Sequence, residues 1–107
     1  MHRLLVLYPP PTDPQAFRAY YEAHHLPLVA RMPGLRSYRW GFDVTGLGGD
    51  SPYFGAFEAD FDDAAALDAA LASPEGEATA ADVPNYATGG AVLLRYDVRD
   101  GGPTPGP

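Results

Sequence analysis

Laid out as a strand, residues His2 to Tyr8 (His-Arg-Leu-Leu-Val-Leu-Tyr) are apolar on both sides, with Leu5 and Leu7 on one face and Leu4, Val6 and Tyr8 on the other. Such a strand requires cover above and below, because neither row of side chains is stable against water. The rest of the chain must therefore supply two covering layers. Pro9-Pro10-Pro11 cannot donate to a ladder and ends the strand at once.

The next stretch, Asp13 to Leu35, supplies one layer. Asp13 is placed to cap a helix with Pro14 at its first position, where the missing N–H costs nothing. Phe17, Tyr21 and Leu28, with either His24 or His25 between them, recur at helical spacing and should face the sheet. Arg18 and Glu22 read as an exposed i, i+4 pair. Pro27 removes a bond to the Ala23 carbonyl, so the helix must bend or loosen beside the histidine pair, and Pro33-Gly34 closes it with a turn.

Leu35 to Val44 alternates Tyr38, Trp40, Phe42 and Val44 with Ser37, Arg39, Gly41 and Asp43, the period of a half-buried strand. A glycine-rich loop leads to a further strand over Tyr53 to Phe61, with Tyr53, Phe57 and Phe61 on one face and Phe54 and Ala56 on the other. Asp62 or Asp63 caps an alanine-rich helix over 64–72 with Leu67 and Leu71 pointing inward, and Ser73-Pro74-Glu75 starts another reaching about Asp82. Ala91 to Val98 is the last strand, apolar on both faces near its start.

This order, β-α-β-β-α-β, predicts an α+β fold of the ferredoxin-like kind, a four-stranded antiparallel sheet with helices on one face. One domain over residues 1–98 is expected, followed by a disordered tail over 99–107 that has nothing to bury. The second face of the sheet then lacks cover, and a two-fold partner offering the same face supplies it, so a homodimer is expected.

The chain has seven arginines, no lysine and fourteen carboxylates, for a formal charge of −7. No basic stripe for nucleic acid is available, nor one for an anionic membrane. There is no cysteine, hence no disulfide or thiolate chemistry. The N-terminal apolar run is too short for a signal peptide and no membrane span is present, so a cytoplasmic protein is expected. The glycines at 46, 48 and 49 link two strands rather than opening a helix and do not form a phosphate loop.

The opening strand ending Leu-Tyr-Pro, Phe17 with Tyr20-Tyr21, His25-Leu26-Pro27-Leu28 followed by Pro33-Gly34-Leu35, and the later Ser73-Pro74-Glu75-Gly76, Ala81-Asp82-Val83 and Asn85-Tyr86 together resemble the EthD-like proteins of the dimeric α/β-barrel group. The resemblance implies a ferredoxin-like protomer, a barrel-forming homodimer and a pocket between sheet and helices. Founding members look like accessory proteins of ether degradation, while related dimeric barrels act as cyclases, dehydratases, isomerases or cofactor-free monooxygenases on aromatic or polyketide-type compounds.

By that resemblance His25, rather than His24, faces the pocket. As a neutral imidazole it can accept and return a proton, with Tyr21 one turn earlier to hold or polarise an oxygen and Asp82 to orient the ring. Tyr8, Phe17, Tyr38, Trp40, Phe57 and Asn85 are the candidate substrate contacts, for a small apolar or aromatic oxygenated molecule. Each has a structural alternative: His25 as a cap at the helix end, Asp82 and Asn85 as turn formers before the last strand, the aromatic residues as core or interface. No metal site or cofactor is expected, since adjacent histidines point about 100° apart and no His-Glu-x-x-His motif occurs. A non-catalytic accessory or ligand-binding dimer is the alternative to an enzyme.

Overall fold

The computed structural model describes residues 1–103. Four strands, β1 (His2–Tyr8), β2 (Ser37–Phe42), β3 (Gly55–Phe61) and β4 (Val92–Asp97), form one antiparallel sheet in the order β2-β3-β1-β4. Between β1 and β2 lie α1 (Pro14–Tyr20), a π-helical turn (Tyr21–His25) and α2 (Leu26–Val29); between β3 and β4 lie α3 (Ala64–Ala72), α4 (Pro74–Asp82) and a 3₁₀ turn (Val83–Asn85). This is the ferredoxin-like βαββαβ arrangement. Residues 99–103 carry neither helix nor strand, and the remainder of the expected tail, 104–107, lies outside the described residues.

The register sorts the strand side chains into two faces. Val6 stands opposite Phe57 and Leu4 opposite Ala59, and Trp40 is opposite Phe57 in turn, so these share the helix-covered face with Tyr8 and Phe61. Arg3, Leu5 and Leu7 point the other way, beside Tyr96, Leu94 and Val92 of β4. The covered face is dry: Val6, Tyr8, Phe57, Ala59 and Phe61 pack with Phe17, Tyr21, Leu26, Val29, Leu67 and Ala70 in one core. The other face has no cover in the protomer, and Leu94 and Tyr96 remain 47% and 44% exposed.

Asp13 caps α1 through its side chain, accepting from the Ala16 N–H at 3.1 Å, and Asp63 and Ser73 do the same for α3 and α4. Gly76 is needed for packing, since a Cβ there would lie 2.0 Å from the Ala70 carbonyl oxygen at the α3–α4 junction. Gly34 holds φ +77° in the turn that ends the first helical segment, a conformation other residues adopt only with strain.

Four details depart from the expectations drawn from the sequence. The first helical segment loosens at the histidine pair, but as a π turn in which the Leu26 N–H reaches the Tyr21 carbonyl. The extra residue rotates the helical turn beyond it, so Leu26 and Val29 enter the core and Leu28 does not. Arg18 and Glu22 do not pair with each other: Arg18 bonds Asp43 and lies over the Phe54 ring, while Glu22 accepts from the Trp40 indole N–H at 3.2 Å. On α3 the inward stripe is Leu67 and Ala70, leaving Leu71 37% exposed, because α4 closes over the Ala70 carbonyl. Phe54 precedes β3 and is buried against Phe17, at 5.2 Å between ring centres, rather than opposing Phe57 across the sheet.

Leu67→Ala removes a fully buried side chain and should destabilise the fold by about 2–5 kcal/mol in denaturant melts. Leu47→Ala, at a fully exposed loop position, should shift stability by no more than about 0.5 kcal/mol.

Candidate active site

The π turn decides which histidine enters the protein. It keeps Tyr21 and His25 on one side, their rings stacked with centres 5.2 Å apart, and turns His24 outward against Tyr20. His25 is 3% exposed. Its Nδ1 lies 2.9 Å from Asp82 Oδ2. The other carboxylate oxygen, Oδ1, accepts from the Tyr20 hydroxyl at 2.5 Å and from the Asn85 amide at 3.0 Å. Oδ2 is thus left to the imidazole, and as an acceptor it places the proton on Nδ1 and the lone pair on Nε2.

Nε2 has no hydrogen bond among the described residues, yet no fully enclosed side-chain nitrogen or oxygen among them lacks a partner. The atom therefore keeps a little accessible surface. His25 lines a cavity of about 70 Å³ between sheet and helices, whose wall is otherwise formed by Leu4, Val6, Val29, Met32, Phe57, Leu93 and similar groups. Tyr8 also lines it, but the Tyr8 hydroxyl is bonded to Tyr86 at 2.9 Å and lies 3.4 Å from the Tyr21 hydroxyl.

Burial disfavours the imidazolium and lowers the His25 pKa despite the opposing pull of Asp82. Burial acts to raise Asp82, but the hydrogen bonds from Tyr20, Asn85 and His25 outweigh it and hold the carboxyl below its ordinary range. Tyr20 is raised because its hydroxyl bonds that carboxylate. Desolvation raises Tyr8, Tyr21 and Tyr86, which stay neutral. The site is a neutral imidazole backed by an ionised carboxylate and set against three neutral phenols.

The structure brings together His25, Asp82 and Asn85, and places Tyr8 and Phe57 on the cavity wall. Tyr21 packs on the histidine with its hydroxyl directed to Tyr8. Phe17 and Asn85 line a second depression of about 180 Å³ on the outer side, shared with Tyr20, Tyr86 and Thr88. Tyr38 and Trp40 line neither and stack on each other on the edge strand β2. Tyr20 is the member of this hydrogen-bonded set that sequence reasoning missed, since its partner Asp82 lies 62 positions away and nothing local marks the contact. Among the described residues no group of three histidine or acidic side chains is placed to hold a metal ion.

The family model for the EthD domain matches residues 9–90, which includes every member of this hydrogen-bonded set. The chain belongs to the EthD family. It is 37% identical over 98 residues to an uncharacterized 11.0 kDa protein in the thcB-thcC intergenic region of Rhodococcus erythropolis, covering 91% of this chain and 94% of that one. Among solved structures it is similar to an EthD family protein from Bacillus halodurans, with TM-score 0.86 and 31% identity over 92% of this chain and 99% of the other. At the level of fold alone this EthD protein also matches a dimeric ferredoxin-like protein of unknown function from Thermobifida fusca, with TM-score 0.70 and 22% identity over 91% and 90% of the two chains.

Because the folded His25 binds its proton more weakly than the unfolded chain, the stability it contributes is present above about pH 6.5 and lost as pH falls through its lowered folded value. Asp60, Asp62 and Asp97, bonded to Arg3, Arg36 and His2, and the Asp82 carboxylate all lose theirs only below about pH 3.9. Thermal melts between pH 7 and 5 should therefore show a falling Tm, with a shallower slope in His25→Asn.

Proposed function

We propose that this EthD protein is a small-molecule enzyme in which His25 moves a proton on an apolar or aromatic oxygenated substrate, in a cyclisation, isomerisation or dehydration. The observation that carries the reading is the free Nε2 of a buried histidine at an apolar cavity, with Nδ1 held by Asp82. Nε2 takes a proton from the substrate, the resulting imidazolium is stabilised by the carboxylate 2.9 Å away, and the proton is returned to another substrate atom. This chemistry needs only the imidazole–carboxylate pair, so the proposal includes no cofactor. The lowered His25 pKa keeps the base neutral at pH 7.

The cavity's small size counts against enclosing a whole substrate and favours a second reading, a non-catalytic accessory protein or one that binds only part of a ligand there. At about 70 Å³ it is well below the ~300 Å³ at which sites for drug-sized ligands begin. Turnover separates the two. With a substrate found by screening apolar oxygenated compounds, His25→Ala should lower kcat/KM by about 100-fold or more, with circular dichroism unchanged. Turnover unaffected by that change rules the acid/base reading out.

The functional unit in this proposal is a homodimer. Leu5, Leu7, Val92, Leu94 and Tyr96 make a contiguous apolar strip on the open sheet face, and a second copy offering the same strip covers it through a two-fold contact. The dimeric state of the Thermobifida fusca protein of the same fold supports this reading. Light scattering at micromolar concentration should give about twice the chain mass of 11.4 kDa, and Leu94→Arg should return it to the single-chain value.

A further inference from the structure

The inner cavity offers a ligand one polar atom of defined role. Leu4, Val6, Val29, Met32, Phe57 and Leu93 give it hydrocarbon and ring walls. The Tyr8 hydroxyl already bonds Tyr86 and lies 3.4 Å from the Tyr21 hydroxyl, and the Thr79 hydroxyl gives its hydrogen to the Glu75 carbonyl at 2.8 Å. No arginine lines the space. The lining side-chain atom with no partner among the described residues is His25 Nε2, an acceptor because Asp82 fixes the proton on Nδ1.

From this we propose that the cavity selects neutral molecules carrying an O–H donor, alcohols or phenols, over ethers, hydrocarbons and carboxylates of the same size. The proposal rests on the reading of His25 as the group that meets the substrate. An O–H satisfies the Nε2 lone pair. An ether oxygen has no proton to give and sets two acceptors against each other, and a hydrocarbon leaves Nε2 unpaired. A carboxylate enters an apolar space with no cation to receive it, at a desolvation cost that nothing there offsets. The cavity of about 70 Å³ is roughly half the ~150 Å³ that accommodates benzene in an engineered protein core. It therefore seats the hydroxyl-bearing end, and the remainder of the molecule lies over Leu71 and Leu93, which line it and are 37% and 58% exposed.

The chain provides its own probe. It has two methionines: Met32 lines the cavity at 8% exposure, and Met1 is 55% exposed. With ¹³C-methyl methionine labelling, the Met32 signal of the full-length protein should shift on titration with phenol or 1-butanol, and Met1 should stay fixed. Toluene and methyl propyl ether should bind about tenfold more weakly, the factor expected when one buried acceptor is left unpaired, and benzoate or butanoate should leave Met32 unmoved. The preference of phenol over toluene should vanish in His25→Phe. Equal binding of toluene and phenol to the unaltered protein overturns the selectivity, as does benzoate binding, and so does a Met32 signal that no compound moves. The acid/base reading fails separately, on turnover that survives His25→Ala.

Discussion

The Asp82 carboxylate ties together side chains from three elements of the chain. Tyr20 comes from the end of α1, His25 from the π turn and Asn85 from the 3₁₀ turn after α4, and each donates to one of its two oxygens. Burying an anion at 8% exposure is costly unless its lone pairs are filled. The three donors meet that requirement, and their geometry makes the imidazole an acceptor on its far side. The tautomer of His25 is thus a consequence of how one carboxylate is satisfied, and the chemistry assigned to the cavity depends on the tautomer.

This set is held in place by the aromatic core behind it. Tyr21 and Tyr86 each bring a neutral hydroxyl to that of Tyr8, and Phe17 stacks on Tyr21 with ring centres 5.5 Å apart. Their rings fix the histidine from two sides, Tyr21 at 5.2 Å and Tyr86 at 4.6 Å. The Tyr8 hydroxyl is the shared partner of the other two, and none of the three bonds His25. An aromatic-rich composition here packs around the imidazole more than it widens a pocket.

Much of the architecture was legible in the chain because it rests on local signals. Asp13-Pro14, the Asp62-Asp63 pair and Ser73-Pro74 mark helix starts through caps that form within three residues, and a cap is present at each, the structure choosing Asp63 of the pair. Strand β2 announces itself by alternation and β1 by its two apolar faces. Less legible were features that depend on helix phase. A single inserted residue at the π turn exchanged Leu28 for Leu26 and Val29 in the core, and a straight 3.6-residue projection cannot anticipate such an insertion. Leu71 was misjudged because the contact that matters on that helix is made by the backbone at Ala70 and Gly76, which leaves no hydrophobic signature.

The sequence by itself determined the order of elements, the need for cover on both faces of the sheet and the exclusion of disulfide chemistry, since each is set by residue type at short spacing. The family marks pointed to His25. Only the tertiary structure decided which nitrogen of that residue is free, that Tyr20 and Asn85 share Asp82 with it, and that Tyr38 and Trp40 stand apart from the cavity. Those outcomes depend on groups up to 62 positions apart meeting at hydrogen-bond distance, and a hydrogen bond between distant residues leaves no periodicity in the chain to be read.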